Sequence, residues 1–128
     1  MNLLLDTHAF LWFIAGDNRL SQTARSLIEN SENQVFLSQV SLWEIAIKIS
    51  LGKLTLLQPF ERLIAEQLRE NQIQLLDIRL QHAAGVISLP FHHRDPFDRM
   101  LIAQAQAEHL TLVSEDSAIT QYDVLRVW

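Results

Sequence analysis

The chain has 128 residues, 48% hydrophobic and 20% charged, with 3 Gly, 3 Pro, no Cys and a formal net charge of −5. That length suits one domain around one core, and the composition excludes a disordered chain. The lack of cysteine excludes a disulfide framework and a thiolate metal site, and the acidic balance argues against the broad basic surface that holds nucleic acid non-specifically. There is no fixed-period repeat, linker or low-complexity stretch, and no apolar run nears the roughly 18 residues of a membrane span. Met1-Asn2-Leu3-Leu4-Leu5-Asp6 lacks the basic region of a signal peptide, so the expectation is a single cytoplasmic domain over 1–128, without membrane association.

In chain order, Leu3-Leu4-Leu5 reads as a buried strand and Thr7 to Ala15 as a helix ended by Gly16. Leu20 to Ile28 repeats the helical period around a Ser21 cap, and Val35 to Ser38 reads as a second strand. Ser41 is expected to open the next helix, with Leu42, Ile45 and Ile49 on one face and Gly52 beyond its last turn. Phe60 to Leu68 reads as an amphipathic helix, Ile73 to Ile78 as a third strand, Gln81 to Ile87 as a short helix and Pro90 to Arg94 as a loop. Asp95-Pro96 begins the clearest helix. Leu110 to Val113 is a fourth strand, a short helix follows Asp116, and Val124 to Val127 is a last strand. Strands that alternate with helices predict an α/β fold of three α/β/α layers around a mostly parallel sheet.

Four acids punctuate these elements. Asp6 closes the first strand; Glu44 lies three residues after Ser41, the spacing of a capping box; Asp98 stands in the first turn of the helix that Asp95 caps and Pro96 starts; Asp116 precedes a short helix. Each alone reads as a cap or a favourable charge at a helix start. In a parallel sheet, however, the strand ends and the starts of the packed helices share one edge, where such folds place ligands. Four carboxylates there would repel one another, and a hard, oxygen-seeking cation relieves the repulsion, with Mg²⁺ the best fit. His82, His92 and His93 lack zinc-site spacing. Lys48 and Lys53 on one segment, with Arg94 and Arg99 beside Asp98, are local positive features by which a polyanion can be handled.

The segments Leu4-Leu5-Asp6-Thr7-His8, Ser41-Leu42-Trp43-Glu44-Ile45, Asp95-Pro96-Phe97-Asp98-Arg99-Met100-Leu101-Ile102-Ala103 and Leu112-Val113-Ser114-Glu115-Asp116 resemble, in that order, those of the PIN-domain ribonucleases, particularly VapC-type toxins. The resemblance spans nearly the whole chain. It implies divalent-metal-dependent cleavage of RNA with Mg²⁺, or Mn²⁺, held by Asp6, Glu44, Asp98 and Asp116, the last being the least secure ligand. Thr7 and Ser114 match hydroxyl residues that support the site, and Arg99 is either a phosphate contact or a surface arginine. The resemblance also implies a cognate antitoxin whose C-terminal segment lies in a groove near the acids, for which Trp12, Phe13, Trp43 and Ile47 are apolar candidates, and a homodimer.

Two other readings remain at this level. Asp6 as a phosphoryl-accepting nucleophile is disfavoured, because the phosphatase pattern needs a second Asp where this chain has His8 and no well-placed lysine follows a later strand. A non-catalytic PIN-like module binding RNA or protein keeps the fold but leaves four intact acids without a use.

Overall fold

The computed structural model describes residues 1–128. Five strands, β1 (Asn2–Leu5), β2 (Gln34–Ser38), β3 (Ile73–Leu76), β4 (Thr111–Val113) and β5 (Arg126–Val127), form one sheet in the order β3-β2-β1-β4-β5. Every neighbouring pair is parallel. Between the strands run α1 (Thr7–Ala15), α2 (Gln22–Glu29), α3 (Gln39–Ser50), α4 (Phe60–Glu70), α5 (Leu80–Ile87) and α6 (Pro96–Glu108), with a 3-10 helix at Ser117–Gln121. No helix is long and apolar enough to cross a membrane.

The three leucines of β1 explain the layering. Leu3, Leu4 and Leu5 are fully buried. Because successive strand side chains point to opposite faces, a strand buried at every position needs cover on both sides. Leu3 and Leu5 join Val35, Leu37, Ile73 and Val113 under Phe10, Ala24, Ile45 and Ile64 from the first four helices. Leu4 joins Leu112 on the other face, under Leu101, Ile102 and Ala105 of α6. Each fully buried aliphatic or aromatic side chain contributes roughly 1.5–3 kcal/mol of transfer free energy. The α/β/α architecture expected from the alternation of elements is thereby realised.

β1 also sets where a site can form. It pairs with β2 on one side and β4 on the other, so the chain winds outward from β1 in both directions. At such a reversal the connections leave the carboxyl edge toward opposite faces and open a crevice between them.

Local boundaries differ from expectation in a few places. α3 starts at Gln39, not at Ser41: Ser38, the last residue of β2, accepts the Val40 N–H on its side chain and caps the helix. The strand thus runs into the helix without a loop. Ser41 and Glu44 therefore form no capping box, since Glu44 sits in the second turn, beyond reach of the cap residue's N–H. β3 stops at Leu76, and the last strand is reduced to Arg126–Val127.

Candidate functional site

A cleft of about 450 Å³ opens at the carboxyl ends of β1 and β4, lined by Asp6, Thr7, His8, Trp12, Glu44, Lys48, Asp95, Asp98, Ser114, Glu115 and Asp116. All four acids singled out from the sequence border it. Asp6 ends β1 and caps α1, its Oδ1 accepting the Ala9 N–H at 2.7 Å. Asp98 lies in the first turn of α6, which Asp95 caps by accepting the Phe97 N–H at 2.8 Å. Asp116 caps the 3-10 helix through the Ala118 N–H at 3.0 Å. Asp6 and Asp116 thus cap helices and line the cleft at the same time, using one oxygen for the cap.

Glu44 reaches the cleft from α3. Thr7, buried at the start of α1, donates its hydroxyl to Glu44 Oε1 at 2.6 Å and lies 3.0 Å from Ser41 Oγ. The other oxygen, Oε2, pairs with Lys48 Nζ at 3.2 Å, one turn along α3. Ser114 is buried after β4, and its Oγ accepts the Asp116 N–H at 3.1 Å. The Ser114 carbonyl is held in turn by Arg126 Nη1 at 2.8 Å.

Burial raises the Asp6 pKa above the ordinary carboxylate range, against the opposing influence of the Ser114 hydroxyl and the Ala9 N–H. Burial likewise pushes Asp98 up to about 6, with the Asp95 charge adding to it. For Asp116, partial burial acts upward but is outweighed by the hydrogen bond to His93, the Ala118 N–H and the charges of His93 and Arg126, which hold it below the usual value. Both upward shifts come first from burial, and a cation in the cleft would oppose them by favouring the ionised carboxylates.

Several placements depart from the sequence reading. Arg99 is neither a surface residue nor part of the cleft lining. It is 5% exposed, and its guanidinium donates to the carbonyls of Val86, Leu89, Pro90 and His93 at 2.8–3.3 Å while stacking on Phe91. Its two Nη groups thus bind the last turn of α5 and the chain that leads from it to α6. One product of that anchoring is His93, whose Nε2 meets Asp116 Oδ2 and whose Nδ1 is 3.1 Å from the Tyr122 hydroxyl. The sequence carries no signal for this contact. Lys48 in the cleft was legible in principle, because positions four apart on a helix face one another.

A second cavity, of about 630 Å³, adjoins the first and shares His8, Trp12 and Lys48 with it; Leu11, Ile14, Leu54, Leu56 and Leu63 supply much of its apolar wall. Of the four apolar candidates, Trp12 lines this groove. Phe13, Trp43 and Ile47 do not: Phe13 packs against the core under Arg25, and Trp43 stands edge-on to Phe97.

No three Asp, Glu, His or Cys side chains are already grouped so as to hold a metal ion. The available donors are carboxylate oxygens around a cavity large enough for water, which suits a hard cation that keeps part of its hydration shell.

A family model described as the PIN domain matches residues 3–125. Ribonuclease VapC22 of Mycobacterium tuberculosis is 28% identical over 121 residues, covering 94% of this chain and 91% of its own length. Among solved structures, VapBC2 from Rickettsia felis bound to a promoter DNA fragment aligns with a TM-score of 0.73 at 16% identity, covering 99% of this chain and 98% of that one. FitAcB from Neisseria gonorrhoeae aligns with a TM-score of 0.67 at 16% identity, covering 98% and 96%. DNA-bound VapBC from Salmonella typhimurium also scores 0.67, at 18% identity, covering 99% and 97%. The family match takes in the first four strands, the reversal at β1 and all four acids, and on that ground the chain belongs to the PIN domain family.

Proposed function

We propose that this protein is a divalent-metal-dependent endoribonuclease and the toxin of a toxin–antitoxin pair. The observation that carries the reading is the meeting of Asp6, Glu44, Asp98 and Asp116 around one cleft at the β1/β4 reversal. It is supported by the similarity to a relative named as a ribonuclease. Asp6, Glu44 and Asp98 would hold Mg²⁺ or Mn²⁺, with Asp116 as a further ligand. The chemistry supplied there by a bound divalent cation is Lewis acidity at the phosphodiester and a water of lowered pKa as nucleophile. The chain's own part is orientation. Thr7 fixes the Glu44 carboxylate, Ser114 fixes the turn that carries Asp116, and Asp116 is held on both oxygens, by the Ala118 N–H and by His93, whereas the cap on Asp6 uses only its Oδ1.

The antitoxin belongs to the same reading, since the structural neighbours are named as VapBC and FitAcB. The apolar groove that shares Trp12 and Lys48 with the cleft is the seat we assign to its C-terminal segment. A homodimer, which would bring basic segments of two chains to one RNA, completes the proposal.

The test is cleavage of RNA by purified protein with Mg²⁺ or Mn²⁺ and with EDTA, comparing wild type with Asp6→Asn and Asp98→Asn. Cleavage is expected only with the cation. Each variant should lose more than the roughly 100-fold that removal of an outer-shell partner costs a metal site. Cleavage that persists in EDTA or in both variants would overturn the proposal.

A further inference from the structure

Lys48 is the only lysine or arginine lining a cleft that also presents Asp6, Glu44, Asp95, Asp98, Glu115 and Asp116. A polyanionic substrate entering such a cleft meets like charge on nearly every side, and one well-placed cation changes the local potential most. Its present partner is Glu44, whose Oε2 lies 3.2 Å from Nζ, and the lysine side chain is 30% exposed. The two partners differ in freedom. Glu44 is held on its other oxygen by Thr7 at 2.6 Å. Lys48 ends a flexible four-carbon stem and also borders the adjoining groove, so its ammonium has somewhere to go.

The Lys48 ammonium therefore occupies the same carboxylate that a divalent cation would need. We propose that Lys48 is the residue that binds substrate phosphate, parked on Glu44 until a divalent cation in the cleft displaces it. The inference rests on the ribonuclease reading above. It assigns two opposed effects to one side chain: Lys48 competes with the metal for Glu44 and attracts the RNA that the metal serves. A merely structural ion pair would have no such opposition of sign.

The experiment compares wild type, Lys48→Met and Lys48→Arg. Mn²⁺ binding without RNA is read from the electron paramagnetic resonance signal of the free ion, and steady-state kinetics use an RNA oligonucleotide that the wild type cleaves. Lys48→Met is expected to bind Mn²⁺ more tightly, by up to about fivefold, the scale of an exposed ion pair. On RNA it should raise KM about fivefold with kcat nearly unchanged, as loss of uniform binding does. The slope of log KM against log salt should become shallower by about 0.7, the share of one phosphate contact on a single strand. Lys48→Arg should stay close to wild type in all three. The inference is overturned if Lys48→Met leaves Mn²⁺ affinity and KM unchanged, weakens Mn²⁺ binding, or lowers kcat alone. A wild type that binds no Mn²⁺ and cuts no RNA would instead remove the parent reading, whatever the variants do.

Discussion

Thr7 Oγ1 donates to Glu44 Oε1 at 2.6 Å, joining the residue that follows the first strand's acid to an acid 37 positions away. The bond ties the start of α1 to the second turn of α3, and with Ser41 it forms a small polar cluster buried between the two helices. Its value lies in orientation. Without it, the Glu44 carboxylate keeps only the Lys48 ion pair.

Thr7→Val, which keeps the shape and removes the hydroxyl, is expected to destabilise the protein by about 1–3 kcal/mol, because it leaves buried partners short of a hydrogen bond. Its larger effect should be on the cleft, with Mn²⁺ affinity falling by roughly 10–100-fold, as for other outer-shell partners. Thr7→Ser should restore most of both. Denaturant melts and Mn²⁺ titrations of the two variants check this, and a Thr7→Val protein with wild-type Mn²⁺ affinity would refute it.

Asp98 makes a prediction of opposite sign for stability. Its pKa is pushed up to about 6 from an ordinary 3.8, by burial first and by the Asp95 charge next. The folded protein therefore holds this proton more tightly than the unfolded chain, and stability falls as pH rises from about 4 through about 6. Asp98→Asn removes that loss. Without metal at pH 7.5 it should be more stable than wild type by roughly 1 kcal/mol, well below the full shift because the carboxyl is partly open to solvent. The corresponding gain in Tm is about 3–6 °C, and it should vanish near pH 4. Millimolar Mn²⁺ should reverse the ranking by stabilising the wild type selectively. Melting curves over pH, with and without Mn²⁺, decide the matter.

Arg99 separates a scaffold role from a substrate role. Its four carbonyl partners lie between Val86 and His93, so Arg99→Met should cost roughly 3 kcal/mol or more. Arg99→Lys should recover only part of this, because one ammonium cannot span the same fork. Below the melting temperature both variants should retain much of their Mn²⁺ affinity. Amide exchange should accelerate around residues 88–94. A loss of RNA affinity at unchanged stability would contradict this role.

The elements were legible where burial imposes a pattern. Three consecutive leucines mark a strand covered on both faces, and Asp95-Pro96 marks a helix start through the special geometry of proline. Ser38 and Ser41 show where local reading fails: either serine is a competent cap three positions from the other, and the strand pairing of Ser38 with Leu76 sets which one serves. Arg99 failed for a different reason. A charged side chain is normally solvated, and only the carbonyls of a distant connection supply the partners that make its burial affordable.

By itself, the sequence determined that strands and helices alternate and that Asp6, Asp98 and Asp116 stand at or beside their ends, because periodicity, caps and chain length act over neighbouring residues. Tertiary structure alone decided which atoms meet: Thr7 on Glu44, Lys48 poised between the acids and the groove, His93 on Asp116, and Arg99 turned inward. Those pairings depend on side-chain directions and on contacts between elements far apart in the chain, and no local pattern of residue types encodes them.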